Sequence, residues 1–116
     1  EDMFVLPELT LEIGNGLTPY ISVYPKKQVR PNLFRDVPRF PEMPIVAVEI
    51  VSANQNIQDL LEKAAQLVQA GVQSVWTVEP FTQSVFVTTE QGDRLVHNDA
   101  VSSAGITVDF QKVFAA

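Results

Sequence analysis

One acidic residue, Glu49, lies in an otherwise apolar segment that covers residues 44–52. An ionised carboxylate is costly in such surroundings unless a cation, a metal ion or hydrogen-bond donors meet it. Glu49 is therefore a candidate ligand for a hard divalent cation, or one half of a structural ion pair. Lys63, in the next predicted element, has a stem long enough to bend toward Glu49. The alternative for Lys63 is full solvation, the commoner fate of a helical lysine.

Other side chains that could do chemistry form no catalytic pattern. The chain has one histidine, His97, and no cysteine, so zinc sites, histidine-based triads and disulfide frameworks lack their usual partners. Ser102 and Ser103 lie in no nucleophile-elbow motif, and we interpret all three side chains as structural. The sequence also contains no phosphate-binding loop, dinucleotide fingerprint, heptad run or internal repeat.

Length and charge indicate the class of protein. The 116 residues suffice for one core, and we predict a single domain over residues 1–116. Because the sequence starts at Glu1 and not at Met, we expect a missing N-terminal segment. The net charge of −6 argues against a protein that coats nucleic acid or membranes by charge alone. The sequence has no signal peptide or membrane-spanning apolar run, so we expect a cytoplasmic protein without a membrane partner.

The elements that would position Glu49 and Lys63 are a strand, a helix and a strand. We predict strands over residues 44–52 and 72–79 and a helix from about Asn56, the N-cap, to Ala70, with Gly71 as its stop. Such a crossover pairs its strands in parallel and places the helix on one face of the sheet.

Alternation in the first strand divides its residues between two buried faces. One face carries Ile45, Ala47, Glu49 and Val51, and the other carries Val46, Val48 and Ile50. The helix presents an apolar stripe to the sheet, with Lys63 beside it. The residues of this stripe are Ile57, Leu60, Leu61, Ala64 and Val68.

Shorter elements flank this unit. We predict a strand within residues 4–13, a tight turn at 14–16 and a strand over 20–24 with Tyr20, Ser22 and Tyr24 on its more polar face. Further strands are expected at 84–89, 94–97 and 106–110, with a hairpin turn at 91–93 and a terminal helical turn that Phe114 anchors.

Residues 25–44 contain five prolines and most of the cations, which predicts a long surface loop. The cations are Lys26, Lys27, Arg30, Arg35 and Arg39. We favour a solvated loop over an arm that contacts phosphates, because runs of surface charge usually indicate only solvation.

Four blocks of the sequence together resemble a known family. The blocks cover residues 17–26, 44–52, 59–63 and 70–80, and their order is that of the Uma-two type restriction endonucleases of the PD-(D/E)XK nuclease superfamily. The similarity runs from about Pro7 to Phe114. It implies an α/β (α+β) fold of the restriction endonuclease-like type, with a mixed β-sheet and one main crossover helix.

The resemblance also implies a metal-dependent endonuclease site. In that family an Asp after Pro, a second acidic residue and a lysine act on a phosphodiester with Mg2+ or Mn2+. Glu49 matches the second acid, the backbone carbonyl of Ile50 is an expected metal ligand, and Lys63 matches the lysine, since Val51 stands where the superfamily usually keeps it. The implied partner is nucleic acid, with DNA preferred, and superfamily habit together with the sheet edges favours a homodimer.

Tyr20 departs from the family pattern. The sequence reads Pro19-Tyr20 where the resemblance calls for Pro-Asp, and a neutral phenol is a weak ligand for a hard cation. A second alignment, with Pro31-Asn32 as the motif, puts a neutral amide at the same position. We therefore expect either an endonuclease with a degenerate site or a catalytically inactive binding or assembly module that kept the fold.

Overall fold

In a computed structural model of the chain, residues 3–7, 21–25 and 43–115 are described. They form a mixed α+β fold with a six-stranded sheet in the order β1 to β6 and a separate β7–β8 hairpin. Strands β3 and β4 are parallel and the other neighbours are antiparallel. The elements are β1 (Met3–Pro7), β2 (Ile21–Pro25), β3 (Val46–Ile50), α1 (Ile57–Gln69), β4 (Ser74–Glu79), β5 (Ser84–Thr89), β6 (Gly92–His97), β7 (Ala100–Ser103), β8 (Ile106–Asp109) and α2 (Phe110–Ala115).

The predicted crossover unit is confirmed, because β3, α1 and β4 follow one another and β3 pairs with β4 in parallel. The Asn56 side chain caps α1 by accepting a hydrogen bond from the Gln58 backbone N–H at 2.9 Å. Gly71 ends the helix with a φ of +118°, a conformation that glycine adopts without strain. Among the described residues, no helix is long and apolar enough to cross a membrane.

Both faces of the sheet are covered, as the apolar character of β3 predicts. Helix α1 covers the face that carries Ala47 and Glu49, and its buried residues are Leu60, Ala64 and Leu67. The opposite face forms the apolar core with the β7–β8 hairpin and α2. In that core the rings of Trp76 and Phe110 meet edge to face, with centroids 6.0 Å apart and planes at 72°.

Several predicted details were wrong. Strand β7 was not predicted, since its short Ala-Val-Ser-Ser sequence becomes a strand only by pairing with β8. The turn between β5 and β6 lies at Glu90 and Gln91, because Thr89 pairs directly with Gly92. Helix α1 is turned toward Leu67, which is fully buried although the predicted stripe used Val68 instead. The predicted terminal helical turn is present as α2, where the half-buried Phe114 packs against the core as predicted and the buried Phe110 lies beside it.

Strand β2 carries its polar side chains inward. Ser22 and Tyr24 are fully buried, whereas Ile21 and Val23 on the other face are half-buried. Ser22 lies opposite Ala47, so the polar face of β2 is the face that α1 covers. This face, which the sequence indicated to be the more polar one, is thus buried and places the Ser22 hydroxyl on the same side of the sheet as Glu49.

Several predictions concern residues 8–20 and 26–42, which lie outside the described residues. They include the second half of the first strand, the turn at 14–16, Tyr20, the Pro31-Asn32 alternative and the basic cluster. These stay predictions.

Candidate functional site

Glu49 and Lys63, which the sequence singled out, meet between the sheet and helix α1. Strand β3 places Glu49 on its helix-covered face, where only 6% of the residue is exposed. In the second turn of α1, Lys63 extends its stem toward the sheet, and its Nζ lies 2.8 Å from Glu49 Oε2. The Lys63 side chain is 22% exposed and that of Glu49 is 8% exposed. The structure therefore favours the bent lysine over the fully solvated one.

The contact between these groups is an ion pair with imperfect hydrogen-bond geometry. The 2.8 Å separation is that of a strong charge-assisted hydrogen bond, yet Oε2 receives no hydrogen bond of good geometry. The distance between Nζ and Oε2 is short enough for a hydrogen bond, so it is the angle at which the ammonium approaches Oε2 that is unfavourable. Charge attraction in a nearly dry site depends mainly on distance, so we regard the two groups as paired. Oε2 retains capacity for another donor.

Three hydroxyl groups share this helix-covered face and were missed by the sequence analysis. Ser22, Thr77 and Thr88 are each at most 5% exposed, and none of their side-chain oxygens has a hydrogen-bond partner. Thr77 lies directly beside Glu49 in the parallel register of β3 and β4. Thr77 lies within the strand that the sequence predicts over residues 72–79, but only the register of β3 and β4 shows that Glu49 is its neighbour.

The described residues offer a limited set of ligands for a divalent metal ion. They contain no group of three or more histidine, cysteine, aspartate or glutamate side chains that could hold one. Glu49 supplies one carboxylate with an oxygen that lacks a well-formed hydrogen bond, and the Ile50 carbonyl is adjacent in the chain. Magnesium is commonly held by one or two carboxylates together with waters and substrate phosphates. The set fits such a partial site, in which most ligands come from outside the protein.

His97, Ser102 and Ser103, the other candidate residues, have structural contacts. Ser103 hydrogen-bonds Ser74 between the two sheets at 2.8 Å, and Ser102 contacts Thr107 across the β7–β8 hairpin at 2.9 Å. The Nδ1 of His97 lies 3.4 Å from Ser84 Oγ, a long contact between adjacent strands. These contacts agree with the structural interpretation of the three residues.

A tight turn after β4 is organised by Glu79. Its carboxylate accepts hydrogen bonds from the Thr82 hydroxyl at 2.7 Å and from the backbone N–H groups of Thr82 and Phe81 at 2.9 and 3.1 Å. The Thr82 hydroxyl, followed by these N–H groups, lowers the pKa of Glu79 below its ordinary value. Glu79 therefore acts as an ionised support for the turn.

Comparison with known proteins identifies the fold and the family. The family model described as "Uma2: Putative restriction endonuclease" matches residues 2–114. Among solved structures, the crystal structure of "a putative nuclease belonging to DUF820" from Anabaena variabilis ATCC 29413 matches with a TM-score of 0.82 and 20% sequence identity, over 98% of this chain and 69% of that chain. A search of curated proteins finds no match. The fold is thus that of a known nuclease-like structure, and the chain belongs to the Uma2 family.

Proposed function

We propose that this protein is a metal-dependent endonuclease with a degenerate active site and that its substrate is nucleic acid, with DNA preferred. The proposal depends on one observation, the ion pair between Glu49 and Lys63 at 2.8 Å beneath helix α1. Family membership supports the reaction class, since the family model is described as "Putative restriction endonuclease". The pair joins the two residues that the family pattern assigns to catalysis.

In the proposed site, Glu49 and the Ile50 carbonyl would hold Mg2+ or Mn2+. Such an ion, when bound, activates water and offsets negative charge on a phosphate. Lys63 holds its ammonium beside the carboxylate and keeps part of its side chain exposed, which lets it contact a phosphate oxygen from the solvent side. The buried position of Glu49 limits the competition of bulk water for its oxygens.

Tyr20 is the proposed defect. It stands in the sequence where the family pattern has an aspartate, and a phenol brings no negative charge at neutral pH. Loss of one carboxylate weakens metal binding without abolishing it, because phosphates and waters complete the coordination. We therefore expect slow cleavage by the natural sequence.

Cleavage of plasmid and single-stranded DNA in Mg2+ or Mn2+ tests the proposal. We expect weak cutting by the natural protein and loss of cutting in Glu49→Ala. Tyr20→Asp restores a charged metal ligand and should cut at least tenfold faster, which corresponds to about 1.4 kcal/mol in the activation free energy. Glu62→Ala, which removes an exposed carboxylate from α1, is the matched control and should cut normally. Robust cutting by Glu49→Ala would contradict the site assignment.

The second candidate is a catalytically inactive binding or assembly module. The observation that favours it is that Lys63 already neutralises Glu49, which is sufficient reason for a buried carboxylate to exist. Calorimetric titration with Mg2+ and Mn2+ separates the candidates. An endonuclease site predicts binding that is lost in Glu49→Gln, whereas a purely structural pair predicts no heat that depends on Glu49.

The predicted homodimer and cytoplasmic location also belong to this proposal. Light scattering of the purified protein measures the mass in solution, and fluorescence microscopy of a tagged copy tests the location. A monomeric mass would contradict the dimer.

A further inference from the structure

The parallel strands β3 and β4 place Thr77 beside Glu49 on the face that α1 covers. The two residues are register partners, and adjacent strands in a sheet lie about 4.8 Å apart. Thr77 is fully buried, and its Oγ1 has no hydrogen-bond partner. Its neighbour on the opposite side, Phe86 of β5, has no side-chain acceptor to offer.

The Thr77 hydroxyl is a donor without an acceptor, and the Glu49 carboxylate can accept a further hydrogen bond. A hydroxyl buried without a partner is unfavourable, and an ionised carboxylate accepts hydrogen bonds at several lone pairs on its two oxygens. The Lys63 ammonium occupies one side of Oε2, which leaves room for a second donor. Both side chains project from the same face of the sheet, so rotation about the Thr77 side chain can turn its hydroxyl toward the carboxylate.

The other unpartnered hydroxyls on this face have different neighbours. Ser22 lies opposite Ala47, and Thr88 lies between Val75 of β4 and the exposed Asp93 of β6, so neither is a register partner of Glu49. Thr88 is otherwise a close match to Thr77, being 5% exposed and also without a partner for its Oγ1. The pair of threonines thus separates the effect of a buried hydroxyl from the effect of its proximity to Glu49.

We propose that Thr77 is a positioning residue that donates a hydrogen bond to the Glu49 carboxylate and fixes its orientation toward the bound metal ion. Each element of the crossover unit then contributes one polar group to the site: Glu49 from β3, Lys63 from α1 and Thr77 from β4. The consequence for metal binding rests on the proposed function, whereas the hydrogen bond itself does not.

Urea unfolding without any metal ion tests the hydrogen bond between Thr77 and Glu49, because the sign of the change in midpoint differs with and without it. Removal of an unpartnered buried hydroxyl by Thr88→Val should raise the urea midpoint, since valine has nearly the same shape. Thr77→Val should lower the midpoint, because it leaves the carboxylate short of a donor, and Thr77→Ser should retain most of the wild-type value. In a Glu49→Ala background, Thr77→Val should no longer lower the midpoint. An increase for Thr77→Val equal to that for Thr88→Val would overturn the inference.

Binding of Mn2+, measured by calorimetry, tests the consequence for the metal site. We expect at least fivefold weaker binding for Thr77→Val, and binding within twofold of wild type for Thr77→Ser and Thr88→Val. If wild type binds no Mn2+, the proposed function fails, while the urea experiment still decides whether Thr77 and Glu49 are coupled. Equal Mn2+ affinities for wild type and Thr77→Val would overturn the positioning role.

Discussion

Replacement of Lys63 by methionine should destabilise the protein far more than replacement of Glu49 by glutamine. Methionine keeps the apolar stem of the lysine but removes the charge that lies 2.8 Å from Glu49 Oε2. The carboxylate then remains nearly buried, with 8% of its side chain exposed, and has lost its charge partner. Glu49→Gln instead leaves a lysine that is 22% exposed and can turn its ammonium toward water.

The expected magnitudes follow from this difference in exposure. Breaking a buried ion pair by removing one partner costs about 3 to 5 kcal/mol, and the partial exposure of Lys63 favours the lower end, about 3 kcal/mol. For Glu49→Gln we expect about 1 kcal/mol, the net value of one ordinary hydrogen bond. With a denaturant slope of about 1.5 kcal/mol per molar urea, Lys63→Met lowers the unfolding midpoint by about 2 M.

Equilibrium unfolding in urea, followed by the fluorescence of Trp76, measures both variants. Lys112→Met is the matched control, because it removes an exposed lysine from a helix in the same domain and should change stability by less than about 0.5 kcal/mol. The double variant Glu49→Gln with Lys63→Met should recover most of the loss, since no unpaired charge remains. A loss below about 0.5 kcal/mol for Lys63→Met would refute the reasoning, because that is the range of a surface pair.

Three further predictions concern the scaffold. Asn56→Ala should cost about 1 kcal/mol through loss of the α1 N-cap, measured by thermal melts against Asn56→Ser, which keeps a capping oxygen. Phe110→Ala should cost about 3 to 4 kcal/mol in urea unfolding, because Phe110 is 6% exposed in the core, whereas Phe81→Ala, at 81% exposure, should cost almost nothing. Because hydrogen bonds lower the pKa of Glu79, their contribution to stability is present above its ordinary pKa of 4.5 and is lost as the pH falls through the lowered folded-state value. Amide exchange at Thr82, with the exchange rates corrected for intrinsic pH dependence, should therefore accelerate at acid pH, and Glu79→Gln should exchange faster already at neutral pH.

The crossover unit was predictable from sequence because its signals are local. Asn56 and Gly71 mark the two ends of α1 through their own side-chain and backbone preferences, without reference to the rest of the chain. The β-strands on either side of the helix are apolar on both faces, which indicated that other elements pack on both faces of the sheet. Glu49 was conspicuous for the same reason, since it interrupts this apolar pattern.

Other features depend on contacts between distant parts of the chain. The predicted apolar stripe of α1 was centred too far from Lys63, because hydrophobicity alone ranks Val68 as highly as Leu67. In the structure the helix is turned so that Leu67 is buried and Lys63 reaches Glu49 on another element. Nothing local to Thr77 indicates that its strand neighbour is Glu49, because the register of a parallel pair is set by the whole crossover.

The two faces of the sheet differ in the polarity of the side chains that they bury. The face that packs on α2 and the β7–β8 hairpin is mostly apolar, with Trp76 and Phe110 in edge-to-face contact, and the buried Ser74 hydroxyl on it is hydrogen-bonded. The face beneath α1 buries Ser22, Glu49, Thr77 and Thr88, and each has a side-chain oxygen without a well-formed hydrogen bond. Stability alone would favour valine or leucine at such positions, since buried polar groups without partners destabilise a fold. Buried polar groups that oppose stability are typical of functional sites, and Thr77 is the register partner of Glu49 on this face, so we propose that the activity of the protein lies beneath α1.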